Sequence, residues 1–375
     1  MQIPFNRPYL TGKELHYLYQ AVQNGHLSGN GIFTKHCHSF FQQQYGYKKC
    51  LLTTSCTDAL EMTALLADIQ LGDEVIMPSF TFVSTANAFV LRGAKIVFAD
   101  SHPDQPNLDE RLIESLITSR TKAIVVVHYA GVACNMTPIL QLASRYGLIV
   151  IEDAAQAIDS YYEGRILGSI GDMAAFSFHE TKNLQAGEGG MLTVNNADFV
   201  HRSEILWEKG TNRTAFFRGE VDKYGWVDIG SSFLPSEMVS AFLFAQLEHL
   251  QEIQQKRLHI WHRYANELAP LAEKGHFQLP VIPSYASNNA HMFYLVLPSE
   301  IMRTVLITKL KEAGVNAVFH YQSLHKSPYF NDKHDGRQLL NSDIFSDCLL
   351  RLPIFFELKE IQQLYIIDQI SRAYK

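Results

Sequence analysis

From Cys50 to Asp153 the chain alternates short apolar runs with longer amphipathic ones, and no other feature restricts its fold as strongly. The runs CLLTT, EVIMP, AKIVFAD, KAIVVVH and LIVIED are brief and rich in Val and Ile, as strands buried on both faces are. TDALEMTALLADI and FVSTANAFVLRG lie between them and read as helices, as do the segments after AKIVFAD and KAIVVVH. Repeated strand, helix, strand units join parallel neighbours, so the expected frame is a mainly parallel sheet between helices. Ligands of such sheets sit at the carboxyl ends of the strands. Two more strand-like runs follow, MAAFSFH and MLTVN, and from about Pro235 to Lys274 the pattern predicts a helical bridge. Beyond it, HMFYLVL and NAVFHY predict short strands among helices. The expected class is α/β: a large domain over residues 1–245 and a smaller α+β C-terminal domain over 246–375. Near the start, Thr11-Gly-Lys-Glu14 predicts a capping box opening a helix that ends near Gly25.

Composition narrows the function. With 38 acidic against 32 basic residues the chain carries a formal charge of -6, which gives no footprint for nucleic acid or an anionic membrane. MQIPFNRPYL lacks the pattern of a secretory leader, and no apolar run approaches the roughly 18 residues of a spanning helix. Five cysteines without a CxxC pair argue against both a disulfide framework and a zinc site, so the expectation is a reducing cytoplasm and no metal.

Three segments could carry chemistry. LIVIED ends in Asp153, SFHETKN places Lys182 after a strand, and Ser55-Cys56-Thr57 joins a strand to a helix. Taken singly, the Asp reads equally as a helix cap, the Lys as a solvated group and the Ser as an N-cap. Together they supply what pyridoxal phosphate requires: an amine for a Schiff base, a carboxylate for the pyridine nitrogen and an anion-binding helix start. Gly29-Asn-Gly31 begins a dinucleotide-type glycine pattern, but no strand precedes it and position 34 is Thr.

The strings LSGNG, SCTDAL, PSFTFVSTANAF, VHYAG, EDAAQ, SFHETK, GEGG, HMFY and RLP run in order along nearly the whole chain. On these strings the chain resembles the DegT/DnrJ/EryC1/StrS sugar aminotransferases. The resemblance implies the PLP-dependent transferase fold type I, with pyridoxal 5'-phosphate as cofactor. It makes Lys182 the Schiff-base amine and Asp153 the partner of the pyridine nitrogen, brings Gln156 near the ring hydroxyl and stacks Phe82 on the ring. Backbone N–H groups of Cys56 and Thr57 and the hydroxyl of Ser177 would hold the phosphate. It further implies a homodimer with shared sites, in which Ser232 of GSSFLP stands where relatives send an Asn or Lys to the neighbouring phosphate. Lys182, where the family's dehydratases carry His, favours transamination; His179 does not occupy that slot.

The longer strings IPFNRP, VHYAGVAC, EKGTNR, FFRGEVDKY and DIGSS most resemble the branch acting on dTDP-4-dehydro-6-deoxyglucose, with L-glutamate as donor and 2-oxoglutarate as by-product. Arg218 of FFRGEVDKY and His320, Tyr321 and His325 of HYQSLH are the implied contacts to this dTDP-ketosugar. The other class left open is a regulatory relative that keeps the cofactor.

Overall fold

The structure, a computed structural model, describes residues 1–374. A seven-stranded sheet is its frame, in the order β1 (Cys50–Thr53), β9 (Gly190–Val194), β8 (Met173–Ser177), β5 (Ile149–Asp153), β4 (Thr121–Val127), β2 (Glu74–Pro78) and β3 (Lys95–Ala99). Only β9 runs against its neighbours, so the sheet is mainly parallel as expected. Successive side chains leave a strand on opposite faces. Ile124 and Val126 accordingly enter one apolar core, and Ala123 and Val125 the other. The first face is covered by α2 (Ile32–Tyr45), α6 (Met136–Tyr146) and α9 (Glu237–Leu247), the second by α3 (Cys56–Leu66), α4 (Val83–Val90) and α7 (Ala197–Trp207). Double burial explains the unbroken Val/Ile runs, and truncating a residue such as Ile151 to Ala should cost about 2–5 kcal/mol.

The order places β5 at the centre of the sheet, and its last residue, Asp153, lies between Val127 of β4 and Ala175 of β8. Beyond β5, a hairpin of β6 (Tyr161–Tyr162) and β7 (Arg165–Ile166) leads back into β8. The stretch between β3 and β4 is less regular than the others, holding only α5 (Ile113–Leu116) after a short 3-10 turn, and α8 (Arg213–Phe217) follows α7.

Two expected helices differ in detail. The first, α1 (Glu14–Gln23), begins three residues after Thr11 because Gly12 stands at φ +95, outside helical geometry. Half the capping pattern survives: the Glu14 carboxylate accepts the N–H groups of Thr11 at 2.8 Å and Gly12 at 2.9 Å. The bridge from Pro235 to Lys274 is two helices, α9 and α10 (Leu250–Glu273), parted at His249, whose φ is -109 and ψ 11.

A second sheet, antiparallel in the order β10 (Phe293–Val296), β12 (Leu349–Leu352), β11 (Val318–Phe319), packs one face against α10, α11 (Glu300–Glu312) and α13 (Glu360–Ala373). Leu250 and Ile253 of α10 belong to the large core and Ile260, Trp261 and Tyr264 to the small one, so this helix does connect the two. Other segments cross as well. Ile3 is buried in the small core, held by a hydrogen bond to the Gly314 carbonyl at 2.8 Å, while Leu324, Phe330 and Leu339, ahead of α12 (Leu340–Cys348), pack into the large one. Among the described residues, no helix is long and apolar enough to cross a membrane.

Candidate active site

Where the carboxyl ends of β4, β5 and β8 face the small sheet, the chain encloses a cavity of about 470 Å³. Asp153 projects into it from the last position of β5. Its Oδ2 accepts the Thr85 hydroxyl at 2.6 Å and its Oδ1 the N–H of Ala155 at 3.2 Å. Thr85 is aimed in turn by the hydroxyl of Thr81, 2.9 Å away. Burial raises the Asp153 pKa above the ordinary carboxylate value, and these bonds with the charge of Lys182 offset that only in part. A cation arriving at this carboxylate would relieve the burial penalty.

Lys182 reaches the same cavity from the turn after β8. Desolvation lowers its pKa, against the opposing pull of Cys56 and Asp153 and with reinforcement from the Arg351 cation. A less basic amine is a better nucleophile and proton carrier near neutral pH.

The third part is the start of α3. Ser55, extended at φ -155, accepts the N–H of Asp58 at 3.1 Å and caps the helix, leaving the first helical N–H groups, those of Cys56 and Thr57, facing the cavity. Ser177 lines the cavity beside them. Gly190 makes this approach possible, since a Cβ there would lie 2.3 Å from the carbonyl carbon of Ser55 and 2.5 Å from the nitrogen of Cys56. Phe82 is the N-cap residue of α4 and is 54% exposed, so its ring belongs to the cavity and not to the core.

Gln156 accepts the N–H of Ala130 on Oε1 at 2.6 Å and donates from Nε2 to the Tyr321 hydroxyl at 3.2 Å. The first bond holds Ala130 in a left-handed conformation, φ 59 and ψ 14, a strain of about 1 kcal/mol that local contacts must sustain. His320 stacks close to Tyr321 and hydrogen-bonds the Tyr129 hydroxyl at 2.9 Å. Burial and the cations Arg351 and Lys182 push the His320 pKa well below its usual value, and the same causes act on His291, which favours the neutral ring in both.

Nine residues expected from the sequence therefore meet in one cavity: Cys56, Thr57, Phe82, Asp153, Gln156, Ser177, Lys182, His320 and Tyr321. Three others are directed elsewhere within this chain. The guanidinium of Arg218 is taken by Glu204 at 2.9 Å and Glu220 at 2.6 Å, which neutralise the charge expected to meet a diphosphate. His325 is buried against the Ser79 hydroxyl at 2.7 Å and has Asp343 at 3.5 Å, and neither it nor Ser79 lines the cavity. Ser232 is exposed, in a bridge with Glu208. Conversely, Thr85, His291 and Arg351 line the cavity without having been singled out. Their only sequence trace is membership in the strings PSFTFVSTANAF, HMFY and RLP.

A carboxylate, an amine and a helix start around one volume, with a ring-sized aromatic at its mouth, fit a planar phosphorylated aldehyde such as pyridoxal phosphate. The comparisons agree. The chain matches the model of the DegT/DnrJ/EryC1/StrS aminotransferase family over residues 8–371. The aminotransferase TlmJ from Streptoalloteichus hindustanus is 26% identical, with a TM-score of 0.90 over 100% of this chain and 99% of that one. DesV of S. venezuelae, solved in complex with a ketimine intermediate, is 29% identical, with a TM-score of 0.91 over 100% of this chain and 99% of its own. Spr1654 from Streptococcus pneumoniae in its PLP form is 23% identical with a TM-score of 0.90 over 100% and 98%, a likeness of fold.

Proposed function

Because the chain belongs to the DegT/DnrJ/EryC1/StrS aminotransferase family, whose members depend on pyridoxal phosphate, we propose that it transfers the amino group of L-glutamate to C4 of dTDP-4-dehydro-6-deoxyglucose. The products would be dTDP-4-amino-4,6-dideoxygalactose, a building block of bacterial surface polysaccharide, and 2-oxoglutarate. One observation carries the aminotransferase part: Lys182, Asp153 and the start of α3 converge on a single cavity at the carboxyl end of the central strands. The sugar rests on the longer strings from IPFNRP to DIGSS.

When bound, the cofactor supplies an electron sink for the carbon that exchanges nitrogen. The chain's residues do the rest. Asp153 holds a proton on the ring nitrogen, aimed by Thr85 and the Ala155 N–H. Cys56 and Thr57 offer backbone N–H groups, and Ser177 a hydroxyl, to the phosphate. Gln156, with its Nε2 turned toward Tyr321, would approach the ring hydroxyl, and Phe82 would stack on the ring. Lys182 would hold the cofactor through its amine and, as a free amine, would serve as the general base and then acid that moves the proton at the reacting carbon. In a homodimer, Ser232 of one protomer would donate to the phosphate of its partner.

Purified protein should show a visible absorption band that glutamate converts, and product analysis with dTDP-4-dehydro-6-deoxyglucose should give the 4-amino-galacto sugar by NMR. The gluco epimer would overturn the stereochemistry alone. A band unchanged by glutamate would overturn transamination.

A further inference from the structure

His291 lies just ahead of β10 and lines the cavity with Lys182, yet is only 4% exposed. Its Nδ1 is 2.9 Å from Oδ1 of Asn183, the residue after Lys182. The Asn183 amide nitrogen donates to the main-chain carbonyl of Asn289 at 2.8 Å and to Oε1 of Gln254, on α10, at 2.7 Å. A main-chain carbonyl can only accept, so the amide is oriented and its Oδ1 is an acceptor. Nδ1 of His291 therefore carries the ring proton, and Nε2 keeps a lone pair. Charging the ring would place a cation in a dry site already shared by Lys182, Arg351 and Arg257, which burial and those charges oppose. The segment is pinned around it. Arg257 donates to the carbonyls of Ala290 at 3.1 Å and His291 at 2.7 Å, and the Asn289 side chain to those of Gln156 and Ile158, each at 2.8 Å. Among the described residues the bond to Asn183 is the ring's only hydrogen bond, so Nε2 is an acceptor without a donor. A buried acceptor left unfilled is costly, and the donor it lacks comes with a ligand.

We propose that Nε2 of His291 accepts the hydroxyl on C3 of the ketosugar and so selects sugars with a free hydroxyl beside the ketone, a deepening that rests on the ketosugar reading. What each ligand can donate decides the choice. The donors of the cofactor have acceptors elsewhere in the proposed arrangement, Asp153 for the ring nitrogen and Gln156 for the ring hydroxyl. The carboxylates of glutamate bring only lone pairs, and its one donor is the nitrogen being exchanged. A ketosugar brings hydroxyls. The two carbons flanking C4 of a 4-keto-6-deoxyhexose bear a single hydroxyl between them, the one on C3, since C5 bears the ring oxygen and a methyl group. With C4 at the Lys182 amine, that hydroxyl is the sugar's nearest donor, and His291 is the free acceptor tied to Lys182 through the next residue of the chain. His291 thus serves the acceptor half-reaction and leaves the donor half largely alone.

The test uses the cofactor-loaded protein, its His291→Leu and His291→Gln variants, dTDP-4-dehydro-6-deoxyglucose and the analogue that lacks the C3 hydroxyl. In single-turnover spectra the aminated wild type should convert the analogue about 10-fold more slowly than the hydroxylated sugar, the loss of one buried hydrogen bond. His291→Leu should slow the hydroxylated sugar by the same factor and leave the analogue nearly unchanged, so that the preference disappears. His291→Gln, which brings an amide oxygen near the place of Nε2, should keep part of it. Conversion by glutamate should change by no more than a few-fold. Binding is read apart from turnover with dTDP-6-deoxyglucose, which has no ketone, and its 3-deoxy counterpart: calorimetry should give the same preference in wild type and none in His291→Leu. Equal handling of the paired sugars by wild type overturns the assignment whether or not the variants fold. Equal loss of both half-reactions in His291→Leu also overturns it, being the mark of a ring that only supports Lys182. If wild type reacts with glutamate but neither binds nor converts any of these sugars, the ketosugar reading falls and this assignment with it; if it takes them without preference, the assignment falls alone.

Discussion

Glu152 and Asp153 are consecutive carboxylates at the end of the central strand, both buried, and they face opposite regions of the molecule. Behind the strand, Glu152 accepts four hydrogen bonds: Ile170 N–H at 2.8 Å and Gly171 N–H at 2.7 Å on Oε1, Gly168 N–H at 2.8 Å and His128 Nε2 at 3.0 Å on Oε2. The other imidazole nitrogen, Nδ1, accepts the N–H of Cys134, so the ring proton lies toward Glu152. Burial would raise the Glu152 pKa, but the His128 hydrogen bond and the loop N–H groups outweigh it and bring it below the ordinary value. In front, Asp153 has two donors, and burial wins. A carboxylate with every lone pair filled is structural, and one left short of donors is waiting for a ligand.

The sharpest way to break this contrast begins with the amine on the cavity side. Lys182→Ala should abolish transamination, by at least about 10⁴-fold, with an unaltered circular dichroism spectrum. Borohydride reduction that fixed the cofactor on another lysine would refute the assignment. Next, Asp153→Asn should lower turnover by about 10³-fold, near 4 kcal/mol of activation free energy, while the ligand-free protein unfolds at the same denaturant concentration or higher. Near-normal kcat would reject Asp153 as the partner of the ring nitrogen.

The same change one residue earlier should invert the outcome. In Glu152→Gln an amide group faces N–H donors, so unfolding free energy should drop by about 3 kcal/mol while activity below the melting temperature persists. Linkage sharpens the pair. The depressed pKa of Glu152 contributes stability that is present above the ordinary carboxylate range and is lost as pH falls through its folded value, so the gap between wild type and Glu152→Gln should narrow in acid. Asp153, raised, opposes folding above its folded pKa and stops doing so below the ordinary one, so any advantage of Asp153→Asn at neutral pH should vanish on acidification. Equal pH profiles for the two variants would erase the distinction. Smallest is the effect of Ser232→Ala: a several-fold weaker retention of cofactor, about 1 kcal/mol, in a protein shown by light scattering to be a dimer. Unaltered retention in that dimer would remove Ser232 from the phosphate site.

What the sequence determined by itself is whatever depends on neighbours along the chain. The period of two and the apolar runs from Cys50 to Asp153 dictate strands buried on both faces, and the same local order places Asp153, Lys182 and Ser55 where strands end. Those three, with Phe82 and Gln156, were legible because each lies in an ordered string at such an end. Helix edges were less so, since one residue outside helical geometry, such as Gly12 or His249, shifts or splits a pattern that periodicity reads as continuous. Alternation also puts Glu152 and Asp153 on opposite faces, but it cannot say which face holds the cavity. Tertiary structure decided that, together with every question of charge pairing. Arg218 is quenched by Glu204, while Arg351 is brought beside Lys182 and, among the described residues, left without an acid. The reason is physical: a side chain's face follows from backbone geometry within a few residues, whereas the state of a charge depends on which distant groups share its low-dielectric surroundings, and only the folded chain brings them together.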